Sequence, residues 1–345
     1  MRKIIISFFV FILSLEEICA AHDSPTSQNY SIVFIHVGNP IPTYIKTAVM
    51  QARLFNPSAE LYLIAEKIAY DEYQDSSNQI DLDECGLNFI SCESLSPSKE
   101  HRDFNELSRL NKEFRNGFWH YASERFFYLE EFISQNNLIN VFHLENDVML
   151  YADLKEYLPV FSTCYSGIAA TFNNEQRVVP GFLYIKNTTS ISRLTQFLLQ
   201  EAPRGQTEMV VLAEFNNLEN GLHIDYLPVI PPEYINKYPL ISIRKHRTDF
   251  PEHFFKNYGK FSSIFDAAAL GQYLGGGDPR NKHNCPPGAC INPSCLFNPS
   301  YFTFEWQEDS EGRKVPFAIF EGKKIKINNL HIHSKNVEPF YSGKS

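Results

Sequence analysis

The chain has no surplus of positive charge. Lys and Arg number 31 against 40 Asp and Glu, and the formal net charge is −9. A protein that grips nucleic acid by neutralising phosphates needs the opposite balance, so this composition argues against that class. It leaves room for a small phosphorylated substrate, because a bound metal ion supplies positive charge locally. Beyond the N-terminus no apolar run approaches the roughly 20 residues that a membrane-spanning helix requires. There is no tandem repeat, and no stretch rich enough in Gly and Ser to separate two domains. Residues 22–345 are therefore expected to form a single domain with a C-terminal elaboration.

Aromatic and aliphatic side chains are plentiful. The chain is 43% hydrophobic and carries 29 Phe and 18 Tyr, enough for a sizeable core. The N-terminus has the make-up of a targeting segment: basic Arg2-Lys3, the apolar run Ile4 to Leu15, then small residues at Cys19-Ala20-Ala21. As a helix that run spans about 18 Å, short of the roughly 30 Å hydrocarbon core. A cleaved signal peptide over residues 1–21, no stable transmembrane helix in the mature chain, and a secretory-pathway location are expected. The remaining cysteines then sit in an oxidising compartment. Cys85 and Cys92 are placed to close a small loop. Cys285, Cys290 and Cys295 are spaced C-x4-C-x4-C, which suits a disulfide or thiols better than zinc. Asn29 and Asn187 open glycosylation sequons, informative in a eukaryotic host.

In chain order, 31–37 reads as a buried strand, 42–55 as a helix opened by Pro42, and 61–65 as a second strand. This β-α-β unit implies a parallel sheet. The following fifty residues are polar and carry no clear pattern. A helix is expected over 119–135, a strand from Val141, a short helix within 153–160, and a strand over 167–172. Pro180-Gly181 reads as a turn feeding a strand to Ile185. Helices are expected over 191–200, 207–215 and 265–274, and an alternating strand over 324–332.

One stretch orders the rest: Val141 to Asp153, VFHLENDVMLYAD. An apolar run breaks abruptly into Glu145-Asn146-Asp147, as a buried strand does when it delivers side chains at its C-terminal end. Glu145 and Asp147 are two apart, so on an extended chain they share a face. Paired carboxylate oxygens suit Mg²⁺ or Mn²⁺.

These features resemble the GT-A family of nucleotide-diphospho-sugar glycosyltransferases. HLENDVMLYADL resembles the family's D-x-D segment, with Glu145 in place of the first Asp. ASERFFYLEEF resembles the helix beneath it, PGFLYIKN the strand bordering the acceptor, and LHIHSK the C-terminal segment carrying a metal-binding His and a phosphate-contacting Lys. The resemblance implies a Rossmann-type αβα sandwich with a mostly parallel central sheet. It implies transfer, of hexosyltransferase type, from a nucleotide-sugar donor to a glycan or other hydroxyl acceptor.

In such a transfer negative charge grows on the departing diphosphate, and a divalent metal and a lysine stabilise it while the sugar passes through an oxocarbenium-like state. On this reading Asp147, Glu145 and His333 hold Mn²⁺ or Mg²⁺, Lys335 and Glu145 face the donor, and His331 packs or supports. Glu208 and Asp266, each read at a helix start, are candidates to orient or deprotonate the acceptor hydroxyl, although acids there also complement the helix dipole. Two other classes fit the same residues: a secreted metal-dependent hydrolase using Glu145, Asp147 and His333, and a non-catalytic binding module whose acids hold a structural ion.

Overall fold

The computed structural model describes residues 29–75, 85–218, 223–281 and 285–343. The targeting segment expected over 1–21 lies outside them. No helix among the described residues is long and apolar enough to cross a membrane.

The central sheet has seven strands in the order β3-β2-β1-β4-β7-β6-β8. They are β1 Ser31–His36, β2 Glu60–Ala65, β3 Leu87–Ser91, β4 Val141–Leu144, β6 Ile168–Asn174, β7 Arg177–Ile185 and β8 Ile224–Tyr226. All neighbours run parallel except β7, which is antiparallel to both β4 and β6. Parallel neighbours require crossovers, and these bring helices to the sheet faces. Helix Ile45–Phe55 turns Thr47, Ala48, Val49, Gln51 and Ala52 inward. Helix Phe118–Gln135 buries Phe126, Phe127, Leu129, Phe132 and Ile133. The result is the mostly parallel αβα sandwich expected.

A pair of short strands, β5 Val148–Leu150 and β13 Asn329–His331, runs antiparallel at the end of β4, with His331 opposite Val148. A four-stranded sheet completes the C-terminal part: β9 Ser263–Ile264, β10 Thr303–Glu308, β11 Lys314–Phe320 and β12 Lys323–Ile327, in the order β10-β11-β12-β9. One buried apolar cluster runs from Tyr30 to Val337 and includes residues of both sheets.

Four local expectations are corrected. Pro180-Gly181 is no turn: both lie inside β7, where the β6–β7 register slips between Ala170 and Thr171. Proline has no N–H for the ladder, so it is tolerated at such an irregularity. The 265–274 segment is helical only from Ala269 to Gly275, because Ala268 adopts a left-handed φ of 65°. The 324–332 strand breaks at Asn328, whose N–H donates to the Ile264 carbonyl and whose amide reaches Ser263 Oγ. Finally, the disulfide joins Cys285 to Cys290, while Cys92 and Cys295 are buried thiols, so the Cys85–Cys92 loop is not closed.

Candidate active site

The end of β4 is tied down on both sides. Glu145 N–H donates to the Gly181 carbonyl at 2.9 Å, and Val148 N–H returns to the Glu145 carbonyl at 3.0 Å. Glu145 and Asp147 therefore converge through a tight turn, not along an extended strand as expected. Asn146 between them points away, its amide reaching the Ile35 carbonyl and His36 Nδ1.

The C-terminal segment comes back to meet this turn. Ile332 N–H donates to the Asp147 carbonyl at 2.9 Å. His331 Nε2 lies 3.0 Å from Glu145 Oε2 and 3.2 Å from Asp147 Oδ1. Lys335, at a left-handed φ of 65°, bonds to Asp147 Oδ2. The sequence placed His333 at the carboxylates. The structure puts His331 there, and His333 Nδ1 is hydrogen-bonded to Gln272 at 2.6 Å with its ring edge-on to His331.

Burial alone would raise the two carboxyls. The Arg125 guanidinium and His331 hold Glu145 well below the usual range, and Lys335 and His331 do the same for Asp147. Burial would lower His331, yet the two carboxylates push it up to about 10. Burial, with the neighbouring positive charges of His331 and Lys335, takes His333 down to about 3.

Glu145, Asp147 and His331 offer ligand atoms that all lie within 4.8 Å of one another, the one such cluster among the described residues. Octahedral bonds of about 2.0–2.1 Å at right angles place adjacent ligand atoms about 3 Å apart, which matches the His331–carboxylate spacings. Two hard oxygens and an imidazole suit Mn²⁺ better than Mg²⁺. The residues present therefore fit a divalent ion.

Above the cluster opens a cleft of about 440 Å³, lined among others by His36, Tyr44, Arg125, Glu208, Arg280 and Lys335. Arg125, one charge among several on helix Phe118–Gln135 when read from sequence, lies 2.5 Å from Glu145 Oε1. Glu208 begins helix Glu208–Asn216, is 4% exposed, and has no hydrogen-bond partner for Oε2 among the described residues. Burial pushes its carboxyl up to about 7, with Arg125 opposing the shift and Glu145 assisting it.

Asp266 is not in the cleft lining. Its carboxylate accepts from the backbone N–H groups of Leu270, Gly271 and His331 at 2.7–3.0 Å. All of these bonds hold chain segments together, so Asp266 fixes the position of the His331 strand and has no oxygen aimed at the cleft.

Neither a protein-family model nor a curated protein matches the chain. Solved structures similar to it include mouse xyloside xylosyltransferase 1, at 9% identity and a TM-score of 0.41, covering 66% of this chain and 92% of that one. The galactosyltransferase LgtC is similar at 14% identity and a TM-score of 0.39, over 65% and 81%. The glycosyltransferase GlyE of Streptococcus pneumoniae is similar at 18% identity and a TM-score of 0.36, over 56% and 44%. The mostly parallel sheet with its one reversed strand, the β4 end carrying Glu145-Asn146-Asp147, and the return of His331 and Lys335 to that end agree with the α/β fold expected from the sequence.

Proposed function

We propose that the chain transfers a sugar from a nucleotide-diphosphate donor to a hydroxyl on a glycan or glycoconjugate. The observation that carries this reading is the meeting of Glu145, Asp147, His331 and Lys335 at one end of a cleft that also contains Arg125 and Glu208. Glu145, Asp147 and His331 would hold Mn²⁺ or Mg²⁺, which supplies positive charge to a departing diphosphate.

The chain's own groups divide the remaining work. Lys335 is a second positive charge at the same place, available to a phosphate oxygen once an ion takes over its hold on Asp147. Arg125 offers donors beyond its Glu145 contact, since its Nε is buried without a hydrogen-bond partner among the described residues, and donor-sugar hydroxyls would satisfy them. Glu208 has a carboxyl poised near neutrality, as a group that orients or deprotonates an acceptor hydroxyl requires. Asp266, proposed from sequence for the same task, serves instead to hold His331.

The Cys285–Cys290 disulfide supports an oxidising compartment, and with the basic-then-apolar N-terminus it supports a secretory-pathway location. The test is a sugar-nucleotide panel with Mn²⁺, read as thermal shift and as nucleoside diphosphate released with and without glycan acceptors. Metal-dependent release from one donor class, stimulated by acceptor, supports transfer. Turnover of phosphate esters or glycosides with no release from any sugar nucleotide supports a hydrolase, and binding without turnover supports a binding module.

A further inference from the structure

Arg280 follows helix Ala269–Gly275 and lines the cleft together with Tyr44 and Lys335, its side chain half exposed. Its Nε and Nη2 both donate to the Asp278 carboxylate, at 2.8–3.2 Å. Nη1 has no hydrogen-bond partner among the described residues. Asp278 is shared with a second guanidinium. Arg115, 163 residues earlier, donates from Nη1 to Asp278 Oδ2 at 3.1 Å and from Nη2 to Asn281 Oδ1 at 2.9 Å. Arg115 also lines the cleft, on the turn that precedes helix Phe118–Gln135. In that turn Arg115, Asn116 and Gly117 take consecutive φ values of 49°, 55° and 85°. Two non-glycine residues in the left-handed region are costly, and such strain persists only where surrounding contacts fix it. The fork from Arg115 to Asp278 and Asn281 is a contact of that kind. On the far side of the fork Asp278 is buried, and its turn is closed by Arg280 N–H on Oδ1 at 2.8 Å and by Asn281 N–H on its carbonyl at 2.9 Å. Burial alone would raise the Asp278 carboxyl, but Arg280, with Lys335 nearby, holds it down at about 2, so it stays ionised.

Charge along the cleft does not balance. Arg125 has Glu145, and Lys335 has Asp147. Arg115 and Arg280 have one carboxylate between them. Glu208, the remaining acid of the lining, has Arg125, Glu145 and Arg177 as its charged neighbours. The positive charge of one guanidinium is left over on the Arg115–Asp278–Arg280 group, in a chain of net charge −9. We infer that Arg280 binds the diphosphate of the donor, and that Arg115 and Asp278 are positioning residues that clasp Arg280 at the cleft. A neutral sugar hydroxyl leaves the spare charge unanswered. A phosphate oxygen accepts from a guanidinium in a charge-assisted bond, and a diphosphate has oxygens and charge enough to meet Arg280 and Lys335 together. This inference rests on the donor class proposed above.

The test is isothermal titration of the full chain with ADP, CDP, GDP, UDP and dTDP, each with Mn²⁺, and then titration of the variants with the tightest of them. Binding of none of the five by the wild type overturns the donor reading, and the inference with it. Where one binds, Arg280→Gln should weaken it about tenfold, the loss expected for one charge-assisted hydrogen bond. Equal affinity in that variant overturns the inference and leaves the donor reading standing. Arg280 is half exposed, so the variant should melt as the wild type does. Arg115→Gln should also weaken binding, and by less, because it acts through Arg280. The double variant Arg115→Gln/Arg280→Gln should then bind no more weakly than Arg280→Gln alone, whereas a general loosening of the fold would add to the loss. Additive losses overturn the positioning role of Arg115. In turnover assays Arg280→Gln should raise the KM for the donor and leave the KM for the acceptor in place, and the reverse pattern overturns the assignment of Arg280 to the donor.

Discussion

Gly181 and His331 occupy adjoining space: a Cβ placed on the glycine would lie 2.5 Å from the imidazole Nδ1. The irregular stretch of β7 brings Gly181 against the ring, and the absence of a side chain lets the ring reach both carboxylates. Gly181→Ala should therefore displace His331 at an overpacking cost of about 1–3 kcal/mol. The metal concentration for half-maximal activity should rise while the circular dichroism spectrum stays native. Unchanged metal dependence would show that His331 is not a ligand.

The two histidines separate cleanly by substitution. His331→Ala should raise the metal requirement by at least about tenfold, since one of three ligands is lost. His333→Ala removes a ring that touches Gln272 and His331 and should change the requirement by much less. Isothermal titration with Mn²⁺ reads both, and the reverse ranking would return His333 to the site.

Asp147→Asn should abolish metal-dependent activity. The amide keeps the shape but loses the charge that both His331 and Lys335 face. Wild-type turnover with metal still required would remove Asp147 from the metal set.

Glu208 sets a pH dependence. With its carboxyl at about 7, the fraction able to accept a proton rises through neutrality, so kcat should climb across pH 6–8. Glu208→Gln should lower kcat by about 10²–10⁴-fold and remove that limb. Retention of the limb in the variant would assign it elsewhere.

Stability of the metal-free protein should depend on His331 with a definite sign. Its folded value of about 10 lies above the unfolded value of about 6.5. The folded state thus binds the proton more tightly, and the stabilisation is complete below pH about 6.5 and lost as pH rises towards 10. Glu145 and Asp147 are depressed, so their contribution is present above about pH 4 and lost on further acidification. Melting temperatures should decline between pH about 6.5 and 10 in the wild type and less in His331→Ala. Equal declines would contradict the coupling.

Much of this was legible because it depends on local pattern. The run Val141–Leu144 and the polar triplet after it mark a buried strand that ends at a site, and β1 and β2 each carry an apolar run, Ile32 to Ile35 and Leu61 to Ala65. The two carboxylates and Lys335 were named from residue type and position. What escaped depends on tertiary geometry. Which of His331 and His333 meets the acids is decided by the pairing of β13 with β5, across a sequence distance no periodicity spans. Arg125 looked like one charge among several on its helix until Glu145 was placed beside it. Asp266 looked like a helix-start acid until the left-handed Ala268 delayed the helix and turned the carboxylate onto three amides. Strands β10 and β11 lie in a region whose prolines and charges obscure the alternation.

The return of the C-terminal segment to the β4 turn has a consequence for the order in which the protein is made. Lys335 is synthesised 188 residues after the Asp147 it neutralises. At ribosomal rates of about 5–20 residues per second, the acid pair and its earlier partner Arg125 emerge roughly 10–40 s before His331 and Lys335. During that interval the nascent sheet holds two carboxylates close together with neither histidine nor lysine to offset them. A chain released before Asn329 would lack the β13–β5 pairing and the His331 and Lys335 contacts of the finished site.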